Sequence, residues 1–150
     1  MFNLFFKLWY GRRVTFVIRE LRKFLVLPDV IEVTFKVSEY SMAIQSSDNN
    51  GIPMININPI ECWTNDCSME TAIAHEAKHV EQFHTGRLVG RDFKIYWDGV
   101  PYASAWDVVL GVYPYYLLPW EVEAVLFENW FAREYGYKAL KRDKNGDVNV

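Results

Sequence analysis

Positive charge is missing from the middle of this 150-residue sequence: residues 37–77 contain six acidic side chains but no lysine or arginine. Residues 1–36 carry seven basic side chains against three acidic ones, and the whole chain has a formal net charge of −3. A nucleic-acid-binding domain is expected to have a clustered basic face. We therefore expect no nucleic-acid partner. We interpret the acidic run mainly as solvated surface, which could also attract a cation.

Long apolar runs and cysteines are also scarce. No stretch approaches the roughly 18 apolar residues of a transmembrane helix. The apolar start is interrupted by Lys7 and has neither a charged segment before it nor a small-residue cleavage site after it, so it lacks the pattern of a signal peptide. We therefore expect a cytoplasmic protein without a membrane partner. For Cys62 and Cys67 this favours reduced, partly buried thiols over a local disulfide or metal binding.

Length and composition fit one globular domain. The chain is 51% hydrophobic and 23% charged, which is ordinary for a soluble domain with a real core. Aromatic residues reach 17%, and we interpret them as core side chains rather than as the lining of a substrate groove. We expect a single domain over residues 1–150, with residues 143–150 as a frayed tail.

The pattern that carries chemistry is His75-Glu76-Ala77-Lys78-His79. On an α-helix, residues four apart have Cβ atoms about 5–6 Å apart, which lets two imidazoles bind one zinc ion at Zn–N distances of about 2.0–2.1 Å. Glu76 lies on the neighbouring face, where it can act on a water molecule without being a ligand. The motif predicts a zinc site with His75 and His79 as ligands and Glu76 as general base.

A catalytic zinc ion needs a third protein ligand. In the metzincin pattern this ligand is a histidine six residues after the second histidine, but that position is Thr85 here, and the required glycine is replaced by Gln82. His84 misses the ligand position by one residue. We interpret His84 as a helix-end or substrate-side histidine.

Two glutamates in residues 118–124, Glu121 and Glu123, are the other candidates for the third ligand. Burial of a carboxylate in such an apolar stretch costs several kcal/mol unless an opposite charge compensates it. Small side chains follow Glu121 on its side of the helix, whereas bulky aromatic ones follow Glu123. Because small side chains let two helices approach closely, the pattern favours Glu121. In the alternative interpretation both glutamates lie on a solvated helix face.

Apolar periodicity predicts helices over residues 13–27, from residue 68 to about 84, and from 120 to about 140, with a short helix over 104–110. Alternating patterns predict strands over 30–37, 42–45 and 53–59, and a hairpin or flap over 87–102 with its turn at Asp98-Gly99. We expect residues 60–67 to form a loop. The segment 53–59 lies between two prolines, which is typical of an edge strand to which an extended peptide could add.

The segments 75–82 and 118–124 together resemble the small, single-domain zinc metallopeptidases of bacteriophages and mobile elements. These proteins are similar to minimal gluzincins, the clan of thermolysin. The resemblance covers roughly residues 50–135. It implies a zinc ion held by His75, His79 and a glutamate of the second segment, with Glu76 as base.

The resemblance is incomplete at one position. In gluzincins the ligand glutamate is commonly followed four residues later by an aspartate that supports a ligand histidine. Here that position is Val125 for Glu121 and Phe127 for Glu123. The sequence therefore leaves the support of the ligand histidines undefined.

We expect an α+β protein with a minimal zincin-like metallopeptidase fold, in which a small twisted sheet accompanies the motif helix and a long C-terminal helix. The expected function is zinc-dependent hydrolysis of peptide bonds in a peptide or protein substrate. The alternatives are a catalytically silent protein-binding module on the same scaffold and a zinc amidase that cleaves cell-wall links. Donors for the developing oxyanion are expected among four side chains: Tyr113, Tyr115, Tyr116 and His84.

Overall fold

The structure is a computed structural model that describes residues 2–37 and 43–142. It has an α+β fold, as the sequence predicts. The expected frayed tail, residues 143–150, lies outside the described residues, as does the first residue of the strand predicted over 42–45. The elements in chain order are α1 (Phe2–Leu21), β1 (Glu32–Phe35), β2 (Ala43–Ser47), β3 (Pro53–Ile57), α2 (Pro59–Thr64), α3 (Met69–His84), β4 (Leu88–Arg91), β5 (Lys94–Trp97), β6 (Val100–Ser104), α4 (Ala105–Val109), a 3-10 turn (Tyr115–Leu117) and α5 (Pro119–Tyr135).

The first sheet has the strand order β1-β3-β2, with β1 parallel and β2 antiparallel to β3. The prediction that 53–59 is an edge strand is therefore wrong, because β3 is the central strand. Its two prolines do not interrupt the ladder: Pro53 begins the strand and Pro59 begins the next helix. In the centre of the sheet, the Asn56 side chain contacts the hydroxyl of Thr34 on β1 and donates to Ser46 on β2.

The second sheet is an antiparallel meander, β4-β5-β6. It contains the predicted hairpin and one further strand. Asp98 and Gly99 connect β5 to β6 with φ angles of 48° and 79°, which is typical of a two-residue type I′ turn. Leu88, Leu118 and Trp120 form a small apolar core with this sheet.

Helix α3 is the centre of the molecule, because α1, α5 and the first sheet all pack against it. Its residues Ala74 and Ala77 are fully buried, and their small side chains allow neighbouring elements to approach closely. Around them lies the main core, which includes Leu21 of α1, Ile55 of β3 and Phe131 of α5. The motif helix is thus held on several sides.

The predicted bounds of two helices are wrong, and one helix lies in a segment predicted as loop. Helix α1 begins at Phe2 and ends at Leu21 instead of covering 13–27; Arg22 then donates to three carbonyl oxygens in residues 27–29 and stabilises the following turn. Residues 60–67 are not all loop, because Asn58 caps α2. Helix α5 ends five residues early, where Gly136 adopts a φ of 71°. Among the described helices, none has both the length and the apolar character needed to cross a membrane.

Candidate metal centre

His75, His79 and Glu121 come together between α3 and α5. The Nε2 atoms of the two histidines are 3.2 Å apart. They lie 3.5 and 3.3 Å from the two carboxylate oxygens of Glu121. A tetrahedral zinc ion with ligand bonds of about 2.0–2.1 Å separates its ligand atoms by about 3.3 Å. The three side chains therefore have the spacing that one bound ion requires.

Local structure explains how these groups meet. The two histidines lie one turn apart on α3, and Glu121 lies in the first turn of α5. Pro119 begins α5, a position that proline tolerates well because its missing N–H would have no partner within the helix. The exposed N–H groups of a first helical turn favour a carboxylate. Ala124, fully buried one turn later, leaves room for the close approach of α3.

The Nδ1 atoms of both histidines face acceptors on the protein. Nδ1 of His75 lies 2.8 Å from Oε2 of Glu128, and Nδ1 of His79 lies 2.8 Å from Oε1 of Gln82. A proton on each Nδ1 satisfies these contacts and leaves Nε2 as the nitrogen for a metal ion. The acceptors thus orient both imidazoles toward a common point.

Glu128 is the residue that the sequence analysis missed. It is 2% exposed and receives two hydrogen bonds from the Arg142 guanidinium, at 3.0 and 2.8 Å, in addition to its contact with His75. The position four residues after Glu121 is Val125, whose side chain cannot accept a hydrogen bond. The carboxylate that contacts His75 lies seven residues after Glu121 instead. Seven residues are two helical turns, so this spacing on one helix face could have indicated Glu128.

Charge and burial at the cluster suit a cation. Oε2 of Glu121 is buried and accepts no hydrogen bond from the described residues. Burial would raise the pKa of Glu121, but the nearby imidazoles of His75 and His79 lower it to about 2. Burial would lower the pKa of His75, but its contacts with Glu121 and Glu128 raise it to about 9. Without a metal ion, His75 is therefore protonated at neutral pH, and its positive charge lies where a metal cation would bind.

Glu76, the predicted general base, lies on α3 directly after His75 and is 8% exposed. Its carboxylate is close enough to His75, His79 and Tyr115 to interact with each electrostatically. It does not belong to the group of side chains that could share one ion. Its placement therefore matches a residue beside the metal position rather than a ligand.

Of the four predicted oxyanion donors, Tyr115 lies close enough to Glu121 and Glu76 to interact with both electrostatically. The Tyr115 side chain as a whole is largely exposed. Burial of the hydroxyl and the nearby Glu121 charge raise the pKa of Tyr115, so the group stays protonated. Tyr113 packs instead on Tyr102, with ring centroids 5.8 Å apart. His84 is exposed at the end of α3.

Glu123, the alternative third ligand, lies outside the cluster of His75, His79 and Glu121. It pairs with Arg87, whose Nη1 atom donates to both carboxylate oxygens at 2.8 and 3.0 Å. It also accepts a 2.9 Å hydrogen bond from Gln82. The two glutamates of the 118–124 segment thus have different neighbours, and Glu121 is the one near both histidines.

Both cysteines are free and buried, so neither thiol forms a disulfide, and neither belongs to the cluster of His75, His79 and Glu121. Comparisons of the chain with models of protein families, with curated proteins and with solved structures found no match.

Proposed function

We propose that this chain is a zinc-dependent peptidase with a minimal zincin-like fold. The observation that carries the proposal is the convergence of two imidazole Nε2 atoms and one buried carboxylate, with both Nδ1 atoms held by acceptors on the protein. His75, His79 and Glu121 would hold the ion. Three protein ligands of this kind are typical of catalytic zinc, which keeps one position open for water or substrate.

The neighbouring side chains supply the remaining chemistry. A bound zinc ion would provide Lewis acidity, polarising a carbonyl group and lowering the pKa of a coordinated water from about 15.7 to about 7. The Glu76 carboxylate would take the proton from the attacking water and deliver it to the leaving amine nitrogen. The Tyr115 hydroxyl would donate a hydrogen bond to the oxyanion that develops on the scissile carbonyl.

The first sheet offers a place for an extended substrate. Because β3 is the central strand, both of its sides are already paired and a substrate peptide cannot add to it. An edge strand of this sheet would have to bind the peptide instead. Strand β2 pairs only with β3 in the described part of the chain and lies against α3. A peptide that added to the other side of β2 would run beside the motif helix, with its backbone held by ladder hydrogen bonds. The likeness of segments 75–82 and 118–124 to phage-encoded metallopeptidases supports the same function.

Zinc analysis combined with peptide cleavage tests this function. We expect about one zinc ion per chain in the purified protein and in Glu76→Gln, because Glu76 is not a ligand. Cleavage of a peptide library should be lost in Glu76→Gln. His75→Ala should lose zinc, whereas His84→Ala is the matched control on the same helix and should retain both zinc and cleavage.

The outcomes separate this proposal from its alternatives. Equal cleavage by the unaltered protein and Glu76→Gln would contradict catalysis by Glu76. Bound zinc without cleavage of any library would favour a binding module on the same scaffold. Cleavage restricted to cell-wall fragments would favour an amidase.

A further inference from the structure

A chain of polar contacts leads from the candidate metal centre to the meander sheet. Nδ1 of His79 contacts Oε1 of Gln82 at 2.8 Å, and Nε2 of Gln82 donates to Oε2 of Glu123 at 2.9 Å. Glu123 in turn accepts from Arg87, which also pairs with Asp98 at 2.7 and 3.1 Å. The chain joins α3 and α5 to the turn between β5 and β6.

The orientation of the Gln82 amide decides which nitrogen of His79 can bind a metal ion. With Oε1 toward the imidazole, Nδ1 carries the proton and Nε2 is available as a ligand. With the amide rotated by 180°, its NH₂ group would face Nδ1 and favour a proton on Nε2, the nitrogen that must bind the metal. The ring nitrogen that His79 presents to a metal ion therefore depends on which groups hold the other end of the Gln82 amide.

Two acceptors hold that other end. Gln82 Nε2 donates to the backbone carbonyl of Trp120 at 3.0 Å and to Glu123. Gln82 is fully buried, so a rotated amide would place its oxygen against both acceptors without water to compensate. Of the two acceptors, only the Glu123 carboxylate is charged, and a hydrogen bond to a charged acceptor is the stronger kind.

Arg87 holds the Glu123 carboxylate in place. Its guanidinium lies between Glu123 and Asp98 and stacks on the Trp97 ring, 4.6 Å from the ring centroid. The planar, five-donor guanidinium suits such a position because it can bind two carboxylates and an aromatic face at once. Its contacts fix the carboxylate that orients Gln82.

We propose that Glu123 is a positioning residue for His79, acting through Gln82, and that Arg87 ties the β5–β6 turn to this function. The inference rests on the proposed zinc site and concerns how that site is held. Loss of the Glu123 carboxylate should weaken zinc binding without removing a ligand. Loss of a direct partner of a ligand histidine typically lowers metal affinity by about 10–100-fold. Glu123 acts one contact further away and Trp120 still accepts from Gln82, so we expect a smaller loss.

The test compares zinc dissociation constants, measured by competition with a chelator. Glu123→Ala and Glu123→Met both remove the acceptor, and Met keeps most of the side-chain length; either is expected to raise the dissociation constant by up to about tenfold. Glu123→Gln keeps one acceptor oxygen and should recover part of the affinity. Glu134→Ala, at an exposed position on the same helix, is the matched control and should bind as the unaltered protein does.

Thermal unfolding of the metal-free proteins separates positioning from a general loss of structure. The Glu123 side chain is 31% exposed, so its replacement by Ala, a strong helix former, should leave a folded protein. Weaker zinc binding with an unchanged metal-free melting temperature, and partial recovery in Glu123→Gln, supports the inference. Unchanged affinity in the folded Ala or Met variant overturns it. Absence of zinc binding by the unaltered protein would instead overturn the zinc site itself.

Discussion

Nδ1 of His75 lies 2.8 Å from Oε2 of Glu128, although 53 residues separate them in the sequence. The carboxylate also binds the Arg142 guanidinium and the backbone N–H of Leu140, so the segment after α5 folds back to the candidate metal centre. His75 and His79 are thus held in different ways. An ion-paired carboxylate contacts the first, and a buried amide contacts the second.

We predict that Glu128→Leu weakens zinc binding by about 10–100-fold, because His75 loses the acceptor that orients its ring. The substitution also leaves Arg142, whose side chain is 19% exposed, without its carboxylate partner. We therefore expect the free energy of unfolding of the metal-free protein to fall by about 3 kcal/mol. Chelator competition and urea denaturation measure the two effects, with Glu134→Leu as the control. Zinc affinity equal to that of the control would contradict the role of Glu128.

Tyr115→Phe should lower kcat for peptide hydrolysis by about 10²–10³-fold, the usual loss when one oxyanion donor is removed. Zinc affinity should change little, since the hydroxyl is not a ligand. Tyr113→Phe is the matched control, because the Tyr113 ring packs on Tyr102 and Tyr115 is the donor that we propose. Steady-state kinetics of zinc-loaded proteins give the comparison. Equal losses in the two variants would exclude a specific function for the Tyr115 hydroxyl.

Phe131→Ala is expected to destabilise the fold by about 3–5 kcal/mol, as is typical for removal of a buried aromatic ring. Phe131 is fully buried on α5, and its ring stacks on Tyr135 with centroids 4.6 Å apart. Leu126→Ala, at a position 65% exposed on the same helix, should change stability by no more than about 0.5 kcal/mol. Urea denaturation measures both. Similar effects of the two substitutions would show that Phe131 is not a core residue.

The two cysteines should react slowly in the folded protein. Burial raises the pKa of the Cys62 and Cys67 thiols to about 12, from a usual value near 9. Iodoacetamide labelling at pH 8 should therefore be slow until urea unfolds the chain, because few thiolates form. Fast labelling of the native protein would contradict their burial.

The same thiols predict a pH dependence of stability. Because their pKa is higher in the folded chain, the folded state keeps its protons where the unfolded state loses them. This contribution to stability is complete below about pH 9 and declines as the pH rises toward 12. Denaturation of Cys62→Ala and the unaltered protein across this range measures it. A decline of equal size in both would exclude a contribution from Cys62.

Several features of the fold follow from short sequence patterns. Helix α3 begins after Ser68 and ends before Gly86, as its flanking residues predict. Asp98-Gly99 forms the expected hairpin turn, and Pro119 occupies the first turn of α5. In each case the preference comes from backbone geometry at a few neighbouring residues, such as a positive φ or a missing N–H group. Such preferences do not depend on distant parts of the chain.

Other features depend on which segments meet in space. The alternating pattern of β3 predicts a strand, but its place in the centre of the sheet requires β1 and β2 on either side. Helix α5 is expected to extend to about residue 140, but Gly136 ends it with a positive φ, a local signal that periodicity does not contain. The return of the following residues to Glu128 depends on the fold. Periodicity describes one element at a time and contains no information on its neighbours.

By itself, the sequence determined the helical spacing of His75 and His79, the position of Glu76 beside them, and a choice between two glutamates for a third ligand. Only the tertiary structure decided that Glu121 approaches the histidines, because this depends on how closely α5 packs on α3. It also decided that Glu128 and Gln82 hold the two imidazoles. A motif places side chains along one helix, whereas the acceptors that orient them and the charge that surrounds them come from segments brought together by folding.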